Sequence, residues 1–179
     1  MNLGEVLRRV GEHLDSQGHL WALVGGHALA AYGKARSTLD LDLLVPGKAQ
    51  HQLIEFMEGL GYETLHRSSG YSNHLHSDPA LGRVDFIYVR GDTRREIFEE
   101  VREVAGPDGV RVLVPRAEHL IAMKVQAIKN DPKRKFQDLA DIAGLLEFSE
   151  VDRSQVRSFF ERAGMLALWN EFAEDESPT

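Results

Sequence analysis

The chain contains no cysteine. That excludes a disulfide framework, a thiol nucleophile and a thiolate metal site, so any chemistry must rest on oxygen and nitrogen groups. Long apolar runs are missing as well. The longest stretch free of Asp, Glu, Lys and Arg, from Ser16 to Gly33, still contains Gln17, His19, His27 and the pair Gly25-Gly26. A membrane-spanning helix wants roughly 20 mainly apolar residues. The first residues, MNLGEVLRRVGEHLD, carry charge throughout and lack the apolar segment of a signal peptide. A soluble, cytoplasmic protein with no membrane partner is therefore expected. Positive charge is in deficit: 21 Lys and Arg stand against 28 Asp and Glu, a net charge of -7. Such a chain binds nucleic acid or anionic lipid poorly without a local basic groove.

What is present is enough chain, 179 residues, for one domain with an appendage. Leu3, Val6, Leu7, Val10 and Leu14 recur at helical spacing, with Gly18 as a stop. Leu20 to Val24 has the length of a strand, and His27 to Tyr32 reads as a short helix closed by Gly33. Thr38 to Val45 is a strand ended by Pro46-Gly47, and Leu53 to Leu60 is a helix stopped by Gly61. Tyr62–His66 and Tyr71–His76 read as strands joined at Ser68-Ser69-Gly70, followed by a strand from Arg83 to Val89. Ile97, Phe98, Val101 and Val104 suggest a helix, and Val110–Val114 a last strand. From Pro115 the pattern is helical only, over about 115–129, 135–147, 151–163 and 165–174, with a polar tail from Glu174 expected to fray. The order predicts an α+β (α/β) core over residues 1–114, a mixed sheet with flanking helices, and a C-terminal helical domain over 115–179.

Asp40 and Asp42 lie two apart in one strand. Side chains alternate there, so both carboxylates leave one face while Leu39, Leu41 and Leu43 leave the other. Two acids on one strand face need solvent or a cation, and hard divalent ions such as Mg²⁺ take oxygen ligands. The pattern alone is weak: with 12 aspartates in 179 residues, Asp-x-Asp arises about once by chance. The apolar sleeve around the pair adds weight, because a strand packed on a core holds its carboxylates in place. Asp85 repeats the theme inside Arg83-Val84-Asp85-Phe86-Ile87. It could complete a two-cation site if its strand lies beside the first; burial without a cation or a hydrogen-bond partner would be costly.

Gly25-Gly26 sits where a strand turns into a helix. Glycines there let backbone approach a ligand such as a phosphate, or serve an ordinary tight turn. Neither a Walker loop nor a G-x-G-x-x-G fingerprint is present. Lys124 lies on the apolar stripe of its helix with Leu120, Ile121 and Ile128. It either snorkels to solvent or points into a cleft. Asp138 shares a face with Ile142, and Asp141 could pair with Arg134 or Lys135. His74-x-His76 places two imidazoles on one strand face as a weak metal pair without a third ligand. His27 could touch a ligand or pack in its helix. The basic cluster Lys133-Arg134-Lys135 is short enough to be a solvated turn.

The segment Val24-Gly-Gly-His-Ala-Leu-Ala-Ala-Tyr-Gly-Lys-Ala-Arg-Ser-Thr-Leu-Asp40-Leu-Asp42-Leu43 resembles the DNA polymerase β-like nucleotidyltransferase superfamily. The likeness is to the bacterial branch of minimal nucleotidyltransferases and AbiEii-type toxins. Its signature is a Gly-Gly or Gly-Ser turn, roughly a dozen residues, Asp-x-Asp, and a later strand acid. His119-Leu-Ile-Ala-Met-Lys124 and Phe136-Gln-Asp138-Leu-Ala-Asp141-Ile142 resemble that branch's helix lysine and Lys-Asp-Leu-x-Asp-Ile element, with Gln137 departing from the usual lysine. The resemblance covers about residues 20–147.

It implies a metal-dependent nucleotidyltransferase that moves a nucleoside monophosphate from a nucleoside triphosphate to a hydroxyl acceptor. The triphosphate would lie between the sheet domain and the C-terminal helices. Asp40, Asp42 and Asp85 would hold two Mg²⁺ ions, with Mn²⁺ as an alternative. Gly25, Gly26, Arg36, Thr38, Lys124 and Asp138 would contact the nucleotide, and Lys124 would neutralise the leaving pyrophosphate. The acceptor is left open among tRNA, protein and small molecule, and a cognate toxin or antitoxin is an implied partner. The other reading is a nucleotidyltransferase fold that binds nucleotide or protein without catalysis, as an antitoxin-like regulator would.

Overall fold

In the computed structural model, which describes residues 2–148 and 150–175, the chain divides into two compact units, Met1–Arg116 and Ala117–Thr179. The expected fraying of the tail concerns residues that lie, from 176 onward, outside the described ones.

The first unit opens with α1 (Leu3–Ser16), whose Val6, Leu7, Val10 and Leu14 are buried. Trp21 closes over its Gly11, and the indole Nε1 donates to Asp15 at 2.9 Å. Next come β1 (Ala22–Leu23), the single turn α2 (Gly25–Ala28) tightening into a 3₁₀ segment to Tyr32, and β2 (Asp40–Pro46). The rest of the unit is α3 (Gln50–Gly59), β3 (Tyr62–Arg67), β4 (Tyr71–His76), β5 (Arg83–Val89), α4 (Gly91–Glu99), β6 (Arg102–Ala105) and β7 (Arg111–Val114). Five strands form one mixed sheet in the order β1-β2-β5-β4-β3. β2 and β5 are its parallel pair, and the others are antiparallel. Leu41, Leu43, Val84 and Phe86 are fully buried, so the two central strands are pinned on one face by apolar packing. β6 and β7 form a separate hairpin.

Three local expectations differ. The helix expected through Val104 stops at Glu99, because Val104 pairs with Val112 across the Gly106–Gly109 turn and belongs to β6. The first strand shrinks to two residues, leaving Leu20 half exposed. Leu39 precedes β2 and is 83% exposed, so the apolar sleeve begins at Leu41.

The face that buries Val84 and Phe86 also carries a buried polar chain rather than a metal pair. His74 Nδ1 lies 3.1 Å from Thr64 Oγ1 and its Nε2 lies 2.9 Å from Ser72 Oγ, which in turn is 2.7 Å from the Tyr88 hydroxyl. His76 instead accepts from the Asp78 amide at 2.9 Å. Burial pushes His74 below the ordinary imidazole value of 6.5. The unfolded chain then takes up a proton near pH 6.5 that the folded chain still refuses. Stability from this site is full above about 6.5 and falls as pH drops through that value toward the lowered one. His13, His19 and His27 are shifted the same way, again chiefly by burial. The melting temperature is expected to fall between pH 7.5 and 5.5, and His74→Gln is expected to flatten that slope. Parallel slopes in the two proteins would assign the acid sensitivity elsewhere.

The second unit consists of α5 (Ala117–Asn130), α6 (Lys135–Phe148), α7 (Arg153–Arg162) and α8 (Leu166–Asp175). Asp152 caps α7 by accepting from the Ser154 and Gln155 amides, and its own N–H donates to Glu118 of α5 at 3.1 Å. Phe160 packs against Trp169 with ring centroids 5.4 Å apart. No helix among the described residues is long and apolar enough to cross a membrane.

Candidate active site

The site begins with strand register. β2 and β5 run parallel with Asp40 opposite Arg83 and Asp42 opposite Asp85. Directly paired residues on neighbouring strands share a face and stand about 4.8 Å apart. Asp40, Asp42 and Asp85 thus leave the same side of the sheet, while Leu41, Leu43, Val84 and Phe86 leave the other, buried side.

The glycine turn belongs to the same place. After β1, the Val24 amide donates to the Asp42 carbonyl at 3.0 Å, and the chain then turns at Gly25 with φ +64°. A Cβ on Gly25 would overlap the Asp42 carboxylate, and one on Gly26 would meet Thr38 at 3.0 Å and the Arg36 guanidinium carbon at 3.1 Å. Only a backbone without side chains can lie this close to Asp42, Thr38 and Arg36. Gly18 provides a control, since it has φ +65° with open space around it. Gly18→Ala should cost about 1–2 kcal/mol of left-handed strain. Gly25→Ala should cost clearly more, because Asp42 must also move. Thermal melts of the two variants check this, and equal losses would remove the steric claim.

Asp85 is 5% exposed and engaged. Arg83 grips it with two bonds, Nε to Oδ1 at 2.8 Å and a terminal nitrogen to Oδ2 at 3.0 Å. The Tyr71 hydroxyl donates to Oδ2 at 2.5 Å, and Arg83 also donates to the Tyr71 oxygen at 3.1 Å. Burial first, then the bond to Asp85, push the Tyr71 hydroxyl well above its ordinary range; the same carboxylate raises Arg83 further. Asn73 sits opposite Asp85 on β4, and its buried Oδ1 has no partner among the described residues. His27, just after the glycines, has a buried Nε2 in the same condition. Sequence reasoning assigned no role to Arg83, Tyr71 or Asn73. The signal for Arg83 was its place two residues before Asp85 in a strand, which puts the two on one face.

Lys124 and Asp138 belong to the second unit. Lys124 is 6% exposed, and its Nζ donates to Asp141 at 2.6 Å and to Asp138 at 3.3 Å. Arg134 donates to the other oxygen of Asp138 at 3.2 Å. The helix-stripe reading of Lys124 holds, but the side chain neither snorkels nor stands open; it ties α5 to α6. Asp141 pairs with Lys124 rather than with Lys135.

Asp40 and Asp42 offer carboxylate oxygens, which suit a hard cation, and the orphaned Asn73 oxygen adds a further acceptor on that face. Asp85 is committed to Arg83, and no three His, Asp or Glu side chains among the described residues converge as a metal-binding group.

Comparison with known proteins agrees with this architecture. The antibiotic-resistance factor ANT(2'')-Ia is 17% identical, with a TM-score of 0.67, 98% of this chain and 97% of that one being covered. The lincosamide antibiotic adenylyltransferase LnuA, lincomycin-bound, is 14% identical at TM-score 0.54, covering 81% and 97%. An antigenic nucleotidyltransferase-like protein from Paracoccidioides brasiliensis is 14% identical at 0.59, covering 97% and 91%. These likenesses fix the fold. Comparison with curated proteins gives no match. The model of the family described as nucleotidyl transferase AbiEii toxin, type IV TA system, matches residues 9–176. The chain therefore belongs to the AbiEii nucleotidyltransferase family.

Proposed function

We propose that this protein is a divalent-cation-dependent nucleotidyltransferase acting in the cytoplasm as the toxin of a toxin–antitoxin pair. The observation that carries the reading is the register of Asp42 against Asp85 on parallel strands, with Gly25 lying under the Asp42 carboxylate. Asp40, Asp42 and, once released by Arg83, Asp85 would hold Mg²⁺, or Mn²⁺ in its place. When bound, such a cation would supply the charge neutralisation that an in-line phosphoryl displacement needs. Gly25 and Gly26 let the triphosphate approach the backbone, and Thr38 and Arg36 flank it from the opposite wall of the turn. Asp85 takes the proton of the acceptor hydroxyl. That oxygen attacks the α-phosphorus, the bond to the β-phosphate bridging oxygen breaks, and pyrophosphate leaves.

Lys124 and Asp138 enter differently from the sequence expectation. A lysine held by two carboxylates has its charge already matched, so Lys124 and Asp138 are assigned to the integrity of α5 and α6, and Arg36 keeps its place beside the glycine turn. The acceptor is a hydroxyl of tRNA, of a protein or of a small molecule. One solved neighbour, ANT(2'')-Ia, is known in complex with adenylyl-2''-tobramycin, an adenylated small molecule.

Incubating the protein and Mg²⁺ with each α-labelled nucleoside triphosphate, against tRNA, protein and small-molecule fractions, tests the reading. Label should move to one fraction and depend on the cation. A folded protein that binds no triphosphate in the presence of Mg²⁺ overturns it. A second reading, a fold that binds without catalysis, is favoured by one observation, the capture of Asp85 by Arg83. Triphosphate binding without any transfer would support that reading.

A further inference from the structure

The Arg83–Asp85–Tyr71 cluster carries more hydrogen bonds than a carboxylate waiting for a cation should. Two guanidinium bonds and one phenol bond occupy three of the roughly four lone-pair positions of Asp85. A fork held in this way is the strong form of an Arg–carboxylate pair. Oxygens so engaged are not open to a cation. The two partners differ in freedom, however. Asp85 is fixed on a central strand, its side chain 8% exposed, whereas the Arg83 side chain is 36% exposed on the same strand. Arg83 can therefore swing away while Asp85 stays.

The geometry points to Arg83 as a latch on the third acid: it holds Asp85 while the site is empty and competes directly with a divalent cation for the same two oxygens. Binding of cation and triphosphate displaces the guanidinium, and the triphosphate offers it a new anionic partner. Tyr71 keeps its bond to Oδ2 and holds the carboxylate in plane during the exchange. Arg83 is thus a positioning residue, acting on the reaction through Asp85. No covalent bond changes in the step. The inference rests on the reading of Asp40, Asp42 and Asp85 as cation ligands.

The test is Mn²⁺ binding to the intact protein without acceptor, read by calorimetry and by the electron-spin signal of free Mn²⁺, for the wild type, Arg83→Gln, Arg83→Lys, Asp42→Asn and the double variant Arg83→Gln/Asp85→Asn. Removing the competing fork should tighten Mn²⁺ by about tenfold or more. Arg83→Lys, which keeps the charge but loses the planar fork, should fall between wild type and Arg83→Gln. The double variant should lose the gain. Because Arg83→Gln leaves a buried carboxylate without its partner, its melting temperature should drop in metal-free buffer. Mn²⁺ should then raise that temperature more than it raises the wild type's. Unchanged or weaker Mn²⁺ binding in Arg83→Gln, with Asp42→Asn still weakening it, overturns the latch and leaves the cation site standing. Absence of Mn²⁺ binding in the wild type and in Arg83→Gln, with and without a triphosphate, overturns both.

Discussion

Asp42→Asn is expected to abolish nucleotidyl transfer, by about a thousandfold or more in kcat. The substitution removes one negative charge and leaves the shape. Asp42 is half-buried, lies over Gly25 and sits in register with Asp85. Asn keeps the side-chain volume over Gly25 while removing the charge. The fold should survive, with a melting temperature close to that of the wild type, and the loss should appear mainly in kcat and cation affinity. Asp40→Asn should behave in the same direction. The double variant should be little worse than either single one, because residues that act as a unit are not additive. Transfer kinetics over a Mg²⁺ titration measure this. An Asp42→Asn protein that keeps activity within tenfold would move the site elsewhere.

The largest effect on stability is expected at Lys124. Its ammonium lies between Asp138 and Asp141, the side chains being 8%, 1% and 3% exposed. Lys124→Met would leave two buried carboxylates without their shared ammonium, Asp138 keeping its bond to Arg134. Breaking a buried pair by removing one partner costs about 3–5 kcal/mol, a large part of a small domain's total stability. The triple change Lys124→Met/Asp138→Asn/Asp141→Asn should recover much of that loss, since no unmatched charge remains on those positions. Urea unfolding compares the two. A Lys124→Met protein as stable as the wild type would show that the lysine's charge is used outside this network.

Much of the first unit was legible because its strands alternate cleanly. Leu41 and Leu43 against Asp40 and Asp42, and Val84 and Phe86 against Asp85, give both the strand and its face. That β5 lies beside β2 was not legible: register between distant strands is set by which apolar faces meet, and no local pattern records it. The hairpin strand β6 was missed because Val101 and Val104 happen to continue the spacing of Ile97 and Phe98; pairing with β7 decides otherwise. At the site, residue types were readable and partners were not. Arg83 stood two positions from Asp85 in plain view, yet its bidentate grip depends on side-chain geometry, as does the pairing of Lys124 with two acids from another helix.

The parallel pairing of β2 with β5 has a consequence for biosynthesis. Asp40 and Asp42 leave the ribosome early, but α3, β3 and β4 must follow before Asp85 exists, and β5 must then insert between β2 and β4. Closing so long a loop is a late and entropically costly event. A nascent or truncated chain ending before Arg83 carries two acids and a glycine turn without the strand that supplies the third. Assembly of the candidate site thus waits on completion of the central sheet.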